Sequence, residues 1–277
     1  MKGLLFGTAG IPLSVKGLGT AEGISQVGKL GLSAMELEFV HSVNISREKV
    51  PEVKKAAESN GIALTCHAPY FINYNTPEKA KIEASIDRVY RSCDITNRCG
   101  GWSVVFHPGF YLKDSPTDAY KHVKSALEET VEKLKADKNP IWVRPETMGK
   151  GSQIGTLEEV LQLSEELEQV MPCIDYSHMH ARQGKYNSYD EFCKILDAIE
   201  KSLGKKGLEN MHIQCQAVEY TEKGERRHLE FNDPKADFKY EEVCRSWKDY
   251  NVKGVVICES PNIEGDAMLL KKTYDGL

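Results

Sequence analysis

The sequence lacks the features that mark several common classes of protein. It has eight cysteines but no CxxC pair, so a thiolate zinc site is not indicated and reduced thiols are expected. Its longest apolar runs have the length of a β-strand, and the first residues contain no long apolar segment or cleavage site of a signal peptide. These absences lead us to expect a cytoplasmic protein with no part inserted in a membrane.

A surplus of basic residues is also missing. The formal net charge is -5 and the isoelectric point is near 6.0, which argues against a surface coated with lysine and arginine. Any contact with nucleic acid would therefore depend on a local basic patch. Hydrophobic residues make up 40% and charged residues 28% of the chain, as in ordinary globular proteins.

Short β-rich segments alternate with longer helical patterns along the whole chain, which is typical of repeated βα units and a parallel sheet. The predicted strands are residues 4–8, 34–40, 62–67, 102–107, 141–146, 172–175, 211–214 and 255–259. At 277 residues the chain has the usual length of a one-domain barrel. We therefore predict an α/β protein with a single (β/α)8 TIM barrel spanning residues 1–277.

The segments between the strands carry the spacing of amphipathic helices, for example residues 121–134 and 157–170. Glycine-containing segments at 58–61 and 97–101 fit helix C-terminal caps. A doubly wound open sheet would use the same alternation. Eight strands and the absence of a GxGxxG turn after the first strand favour the barrel.

Histidines and carboxylates stand at six consecutive predicted strands. They are His67, His107, Glu146, Asp175 with the nearby His178, His212 and Glu259. The carboxyl ends of barrel strands converge on one rim, although His212 lies near the start of its strand. One such residue alone would more often be a hydrogen-bonded turn residue, but the succession indicates a shared site.

This set of side chains suits divalent cations. Buried carboxylates gathered at one rim would repel one another without cations. Imidazole combined with carboxylate suits zinc, manganese or iron, whereas calcium and magnesium prefer oxygen alone. Neighbouring metal ions can neutralise a phosphate, generate hydroxide near neutral pH and stabilise a leaving oxygen, so hydrolysis of a phosphodiester is a natural chemistry for the site.

Several motifs, in this order, resemble those of the endonuclease IV family of apurinic/apyrimidinic endonucleases. They are residues 67–73 (HAPYFIN), 107–109 (HPG), 146–152 (ETMGKGS), 173–175 (CID) with His178, and 259–261 (ESP). The resemblance runs over most of the chain. It implies a barrel that binds three zinc ions and cleaves the phosphodiester bond on the 5' side of an abasic site.

The resemblance also implies a ligand set for each ion. The implied ligands are His67, His107 and Glu146 for the first ion, Glu146, Asp175, His212 and Glu259 for the second, and His178, Glu225 and His228 for the third. We assign catalytic roles to Glu146 and Glu259. Zinc is the expected cofactor, with up to three ions, and manganese is the alternative.

The chain departs from the family pattern in three places. The acidic residue and the histidine of the third site are expected two positions apart, whereas Glu225 and His228 are three apart. The strand of His212 continues with Gln214 and Cys215 where Asn-Asp is expected. The third place is the loop at residues 41–47, where family members are expected to carry basic and polar residues that probe the DNA.

Aromatic and polar rim residues are candidates for binding DNA. Tyr70 and Phe71 match a loop that enters the duplex in the family, and aromatic rings stack on unpaired bases; packing at the rim is the alternative. The candidate DNA contacts are Tyr70, Phe71, Asn73, Lys150, Arg182, Arg226 and Arg227. On the second strand, Glu38 could serve the site, while we expect Glu36 to form hydrogen bonds inside the barrel.

These features favour a zinc-dependent phosphodiesterase of base excision repair, a deoxyribonuclease IV-type enzyme. It would act on double-stranded DNA with abasic sites by attack of a metal-bound hydroxide, and a monomer is favoured. One alternative is a divalent-metal-dependent sugar isomerase or epimerase of the xylose isomerase-like group, which needs no ligands for a third metal. Another is a relative that binds the lesion without cleaving it.

Overall fold

Ten strands are present in the computed structural model, which describes residues 3–277. They are β1 (Leu4–Ala9), β2 (Ala34–Glu38), β3 (Ala63–His67), β4 (Ser103–Phe106), β5 (Trp142–Pro145), β6 (Cys173–Asp175), β7 (Met211–Gln214), β8 (Ala217–Thr221), β9 (Gly224–Leu229) and β10 (Gly254–Cys258). Eight of these strands form one parallel sheet in the order β5-β4-β3-β2-β1-β10-β7-β6, within the same range of residues. The other two, β8 and β9, form an antiparallel hairpin.

The two end strands of this order, β5 and β6, come back together. Isolated parallel bridges join Val143 to Val170 and Glu146 to Cys173, so the sheet curves into a nearly closed barrel. The strands are mostly buried on both faces, as parallel barrel strands are; in β10, for example, every residue is buried. The predicted TIM barrel is confirmed.

Helices surround the strands. They are α1 (Thr20–Lys29), α2 (Val50–Asn60), α3 (Lys79–Arg98), α4 (Pro116–Ala136), α5 (Leu157–Glu166), α6 (Tyr176–Gln183), α7 (Tyr189–Leu203), α8 (Lys205–Leu208), α9 (Tyr240–Asp249) and α10 (Glu264–Gly276), with a 3-10 turn at Leu13–Val15. Local sequence sets their ends. Ser115 caps α4 by accepting a hydrogen bond from the backbone of Asp118, and Thr156 and Glu159 form a capping box at α5.

All eight predicted strands are present, with ends within two residues of the prediction. The helix predicted at 157–170 is shorter, because Leu167 adopts an extended conformation and α5 stops at Glu166. Gly61 ends α2 with φ of 64°, a left-handed conformation that glycine adopts at little cost. All eight cysteines are free thiols, as expected.

The β8–β9 hairpin is the element that the sequence did not predict. It follows β7 directly and packs against α6 at the same end of the barrel as the carboxyl ends of the strands. Its strands carry many charged side chains, which conceal the alternation of polar and apolar positions on which strand prediction depends. No helix within residues 3–277 is both long and apolar enough to cross a membrane.

Candidate metal centre

The first group of candidate ligands lies at the ends of β3, β4 and β5. His67 is the last residue of β3, while His107 and Glu146 each follow the last residue of their strand. Nε2 of His67 lies 3.3 Å from Nε2 of His107 and 3.4 Å from Oε2 of Glu146, and Nε2 of His107 lies 3.2 Å from the same oxygen. The structure therefore brings together the three residues that the sequence assigns to the first ion.

A second group adjoins the first through Glu146, whose Oε1 lies 2.8 Å from Nδ1 of His178. Asp175 caps the first turn of α6 by accepting a hydrogen bond from the backbone of His178, which places the imidazole at the rim. Nε2 of His178 lies 3.3 Å from Oε2 of Glu225, and Nε2 of His228 lies 3.5 Å from Oε1 of Glu225. These two histidines and Glu225 can share one ion.

A β-bulge explains the unexpected spacing of Glu225 and His228. The pairing of the hairpin shifts between Glu219 and Tyr220, so that Arg226 is an extra residue in β9. In a regular strand, side chains three positions apart face opposite sides. Because the bulge inserts one residue, Glu225 and His228 return to the same face and both reach His178.

Backbone carbonyl groups fix the tautomers of three imidazoles. The Nδ1 atoms lie at hydrogen-bond distance from carbonyl oxygens in the pairs His67 with Ala68 at 2.7 Å, His178 with Thr147 at 3.1 Å and His228 with Glu259 at 3.0 Å. A carbonyl oxygen only accepts, so Nδ1 must carry the hydrogen and Nε2 keeps a free lone pair in the neutral ring. Histidine ligands of metals usually donate their other ring N–H to a carbonyl or carboxylate oxygen in this way.

The charge on Glu146 calls for a positive partner. Burial opposes its ionisation, but His107, His178 and His67 hold the pKa of Glu146 well below the ordinary value. Burial likewise opposes the charged form of His67, yet Glu146 raises the pKa of His67 to about 10. Protons on His67 and His178, whose pKa values are raised, supply this positive charge, and a divalent cation would supply it in their place and release them.

The unsatisfied atoms of Glu146 test whether a cation fits. Both carboxylate oxygens are buried and make no hydrogen bond within the described residues, although three imidazole nitrogens lie within 3.4 Å. Buried carboxylates are normally paired by donors. Donor atoms that converge without hydrogen-bond alignment match ligands around a shared ion, so the residues present fit zinc or a similar cation.

Gly149, in the loop after β5, allows the second group to form. A Cβ atom at this position would lie 2.9 Å from Cβ of Glu225 and 3.0 Å from Cδ2 of His178. The carbonyl of Gly149 also accepts a hydrogen bond of 3.0 Å from the backbone of Glu225. Any side chain here would push the two ligands away from their positions, because their side-chain atoms occupy the space.

The structure corrects the placement of His212. Residues 212 and 214 of β7 share the inner face because side chains alternate with a period of two, and Gln214, not His212, is the one at the rim. His212 lies one layer deeper in the barrel, where Nδ1 is 2.9 Å from Oγ of Ser103 and Nε2 is 3.0 Å from Oε2 of Glu36. It belongs to none of the candidate metal-binding groups within residues 3–277.

Glu36 forms hydrogen bonds inside the barrel, as expected, whereas Glu38 lies nearer the rim. Oε2 of Glu36 accepts a hydrogen bond of 2.7 Å from Oγ1 of Thr65. Glu36, Glu38 and Glu259 each place an oxygen within 4.8 Å of the others. Burial and the charge of Glu36 raise the pKa of Glu38 to about 8, and burial and Glu146 raise that of Glu259. These acids therefore favour a shared proton or a neighbouring donor.

Exposed aromatic side chains flank the first group. The Tyr70 ring stacks on His107 with centroids 5.5 Å apart and meets His67 edge-on at 5.0 Å. Phe71 is 61% exposed, and together with Tyr70 it borders an open groove of about 860 Å³. Phe110 and Leu112 border the same groove and are also exposed. Sequence reasoning missed these last two, although two apolar side chains in a rim loop are a readable signal.

Two of the predicted DNA contacts have structural partners instead. Nη1 of Arg182 donates to three carbonyl oxygens of the loop after β5, those of Met148 at 3.2 Å, Lys150 at 2.7 Å and Gln153 at 3.0 Å. Oδ1 of Asn73 accepts from the backbone of Asn75 at 3.0 Å and of Phe110 at 3.4 Å, which ties two rim loops together. Nη1 of Arg182 and Oδ1 of Asn73 thus hold loops, and contact of these two residues with DNA stays a prediction.

The remaining basic candidates lie on or beside the hairpin. Arg226 and Arg227 are exposed, and both contact Glu219, at 3.4 and 2.7 Å. Lys150 is half-buried near Glu225. Burial opposes ionisation of the Glu225 carboxyl group, but His178 and other basic groups, including Lys150, lower the pKa of Glu225 to about 2. Contact of these three basic residues with DNA stays a prediction.

Comparison with known proteins gives both sequence and fold relatives. A family model described as a xylose isomerase-like TIM barrel matches residues 24–274. An uncharacterized protein of Methanocaldococcus jannaschii is 42% identical over 99% of this chain and 98% of its own length. A probable endonuclease 4 of Oceanobacillus iheyensis is 30% identical over 61% of this chain, and the match spans 59% of that relative.

Among solved structures, endonuclease IV from Thermus thermophilus superposes with a TM-score of 0.72 at 18% identity, covering 97% of this chain and 98% of that one. A D-tagatose 3-epimerase-like protein superposes with a TM-score of 0.75 at 16% identity, covering 97% and 96%. At these identities the superpositions establish the shared fold alone.

Proposed function

The chain belongs to the xylose isomerase-like TIM barrel family, and from this premise we propose that it is a metal-dependent phosphodiesterase that cleaves double-stranded DNA on the 5' side of abasic sites. The proposal rests on one observation. The two imidazole–carboxylate groups adjoin each other, with Oε1 of Glu146 2.8 Å from Nδ1 of His178. Such a junction suits two neighbouring cations acting on one phosphate. Sequence similarity to a probable endonuclease 4 supports the same chemistry.

Two groups of side chains would hold the cations, and backbone carbonyls would keep the ligand rings in place. His67, His107 and Glu146 would hold one ion, and His178, Glu225 and His228 another. Bound divalent cations, zinc or alternatively manganese, would neutralise the phosphate and make water a better nucleophile near neutral pH. The backbone carbonyls behind the three Nδ1 atoms keep the rings oriented, so that little reorganisation is needed when substrate binds.

Glu146 and Glu259 are the proposed catalytic residues. Oε2 of Glu146 lies in the first group and Oε1 contacts the Nδ1 side of His178, so this carboxylate holds the second group beside the first. Oε1 of Glu259 accepts a hydrogen bond from Gln214 at 3.1 Å, which leaves Oε2 to take up a proton. Burial and Glu146 raise the pKa of Glu259 well above the ordinary value of a carboxyl group, which favours the protonated form.

Recognition of damaged DNA would use the exposed rim. Tyr70 and Phe71 stand beside the first group, where their rings can stack on bases next to a missing one. Arg226 and Arg227 project from the hairpin and would contact backbone phosphates, with Lys150 nearer the centre. Because the whole chain has a net charge of -5, these few residues would form the local basic patch that contact with DNA needs.

The test is incubation of zinc-loaded protein with a duplex oligonucleotide that carries one abasic site, beside the same duplex without it. We expect one nick on the 5' side, leaving a 3' hydroxyl that a DNA polymerase can extend. EDTA should stop the reaction. Epimerisation of a ketohexose by the same preparation, without nicking, would contradict the proposal and support the sugar-epimerase alternative.

A pair of variants links the nicking to this site. Glu146→Gln keeps the shape of the side chain but removes the charge shared by both groups, so we expect a loss of about 100-fold or more in nicking. Glu158→Gln, at an exposed position on α5, is the matched control and should nick at the rate of the unmodified chain. Equal rates in both variants would refute the assignment.

A further inference from the structure

Two glutamines lie where the sequence led us to expect the second of three ions, the one assigned to Glu146, Asp175, His212 and Glu259. Nε2 of Gln214 is 3.1 Å from Oε1 of Glu259 and 3.1 Å from Oε1 of Glu36. Nε2 of Gln216 is 2.8 Å from Oδ2 of Asp175. The two carboxylates that were expected to bind this ion therefore each accept a hydrogen bond from an amide NH2 group.

We propose that the rim binds two divalent cations and not three, because Gln214 and Gln216 place amide donors on the carboxylates Glu259 and Asp175. The inference rests on the proposed metal binding, and it is independent of the substrate. The two ions would occupy the groups defined above, one containing His67 and the other containing His228. Among the remaining acids, Glu36, Asp175 and Glu259 accept hydrogen bonds from neighbouring side chains.

The orientation of the Gln214 amide is fixed by its surroundings. Its NH2 group faces the oxygens of Glu36 and Glu259, while its oxygen accepts a hydrogen bond of 3.4 Å from the thiol of Cys173. Turning the amide round would set its oxygen against two carboxylates in a buried site, which is strongly unfavourable. The NH2 group of Gln214, which has a partial positive charge, therefore stays beside Glu36 and Glu259, where a cation would otherwise bind.

Gln216 is constrained in the same way. Its backbone N–H donates to Oγ of Ser177 at 3.0 Å, which places the side chain over Asp175. An amide oxygen 2.8 Å from the carboxylate of Asp175 would be repelled, so the atom at that distance is the NH2 nitrogen. Asp175 also accepts from the backbone of His178 through its other oxygen. Both oxygens of Asp175 thus already have donors.

The other ligand expected for this ion is absent from the rim. The ring of His212 lies in the barrel interior, where Nδ1 is 2.9 Å from Oγ of Ser103 and Nε2, which makes no hydrogen bond within the described residues, is 3.0 Å from Oε2 of Glu36. His178 cannot replace it, because Nδ1 carries the hydrogen that faces the carbonyl of Thr147 and only Nε2 is free for the second group. Glu146, Asp175 and His178 therefore form no third site of their own, although they lie close together.

The number of bound ions is a direct test. The chain is loaded with zinc, passed through a desalting column, and weighed by native mass spectrometry, with zinc per chain measured in parallel by elemental analysis. We expect two ions per chain. His228→Ala should hold one, because it removes a ligand of the second group only. Three ions in the unmodified chain would overturn the inference.

Variants in β7 test the cause. Gln214→His replaces the donor with an imidazole at the rim and should raise the content to three ions, whereas His212→Asn should leave it at two. A fall to one ion in a folded His212→Asn variant, checked by circular dichroism, would overturn the inference, as would an unchanged count in folded Gln214→His. If Gln214→His does not fold, the counts of the unmodified chain and of His228→Ala still decide.

These outcomes separate the inference from the proposed function. Two ions per chain without nicking of abasic DNA would contradict the proposed phosphodiesterase and leave the inference standing. Nicking of abasic DNA by a chain with three ions would support the proposed phosphodiesterase and contradict the inference of two ions. A chain that retains no zinc contradicts both, since each requires cations at the rim.

Discussion

Arg182 stabilises the loop that follows β5, and this loop carries Gly149 against the metal centre. Its guanidinium gives hydrogen bonds to the carbonyl groups of Met148, Lys150 and Gln153 at 2.7 to 3.2 Å. A planar group with several donors suits this task better than any other side chain. Its role is therefore to support the ligands from behind.

We expect Arg182→Met to lower the free energy of unfolding by about 2 kcal/mol, because three charge-assisted hydrogen bonds are lost. Denaturant titration measures this change. Arg226→Met, at an exposed position, is the control and should change stability by less than about 0.5 kcal/mol. If Arg182 contacted phosphate, its replacement would instead leave stability unchanged and reduce the salt dependence of DNA binding by about one unit of slope.

Individual ligands were predictable where a candidate ligand stands at the end of a predicted strand or directly after it. His67, His107 and Glu146 all come at such points, so the convergence of strand ends was enough to bring them together. The depth of His212 in the barrel was not predictable, because the period of two makes positions 212 and 214 equivalent in direction and sequence does not reveal which of them reaches the rim. The neighbours of His212 in the structure, Ser103 and Glu36, come from distant strands that a local sequence pattern does not report.

At the scale of elements, the β8–β9 hairpin completes the second group. The strands and most helices could be predicted from their hydrophobic periodicity, but the hairpin has an exposed, charged face and a bulge. A bulge depends on pairing with the neighbouring strand, which no local pattern reports. The sequence therefore contained both ligands but not the geometry that joins them.

Two deletions test the bulge. Removing Arg226 alone leaves Glu225 and the histidine two positions apart in a regular strand, so they share a face and the zinc content should not change. Removing Arg226 and Arg227 together puts them one position apart, on opposite faces, and should lose about one ion per chain. Native mass spectrometry gives the counts. Loss of an ion in the single deletion would contradict the account of the bulge.

At the scale of the whole molecule, the cations would connect parts of the chain that are far apart in sequence. The candidate ligands come from β3, from the segments after β4 and β5, from α6 and from β9. A ligand that binds only the folded state stabilises it in proportion to the logarithm of its concentration. The barrel itself was predictable from the number and order of its strands, since eight βα units close in one way.

Removing metal should therefore lower the melting temperature. With zinc at about 100 times its dissociation constant, binding adds about 2.7 kcal/mol. For a protein of this size that corresponds to a decrease of about 5 to 10 °C when EDTA is added. Calorimetry before and after chelation measures it, and zinc should restore the original value. Glu146→Gln should respond less to EDTA than the unmodified chain, because it lacks a ligand of the first ion; a full shift in that variant would place the stabilising ions elsewhere.

The junction between β5 and β6 has a consequence for how ions would enter and leave. Only isolated bridges join these strands, whereas the other neighbours share continuous ladders. A barrel that breathes will part first along this seam, where the fewest backbone hydrogen bonds must be broken. Glu146 follows one strand and Asp175 ends the other. The rate of metal exchange with solvent would then be limited by the rate at which the barrel wall opens. A chain with more hydrogen bonds between β5 and β6 would keep its ions longer, even if its equilibrium affinity for the ions were the same.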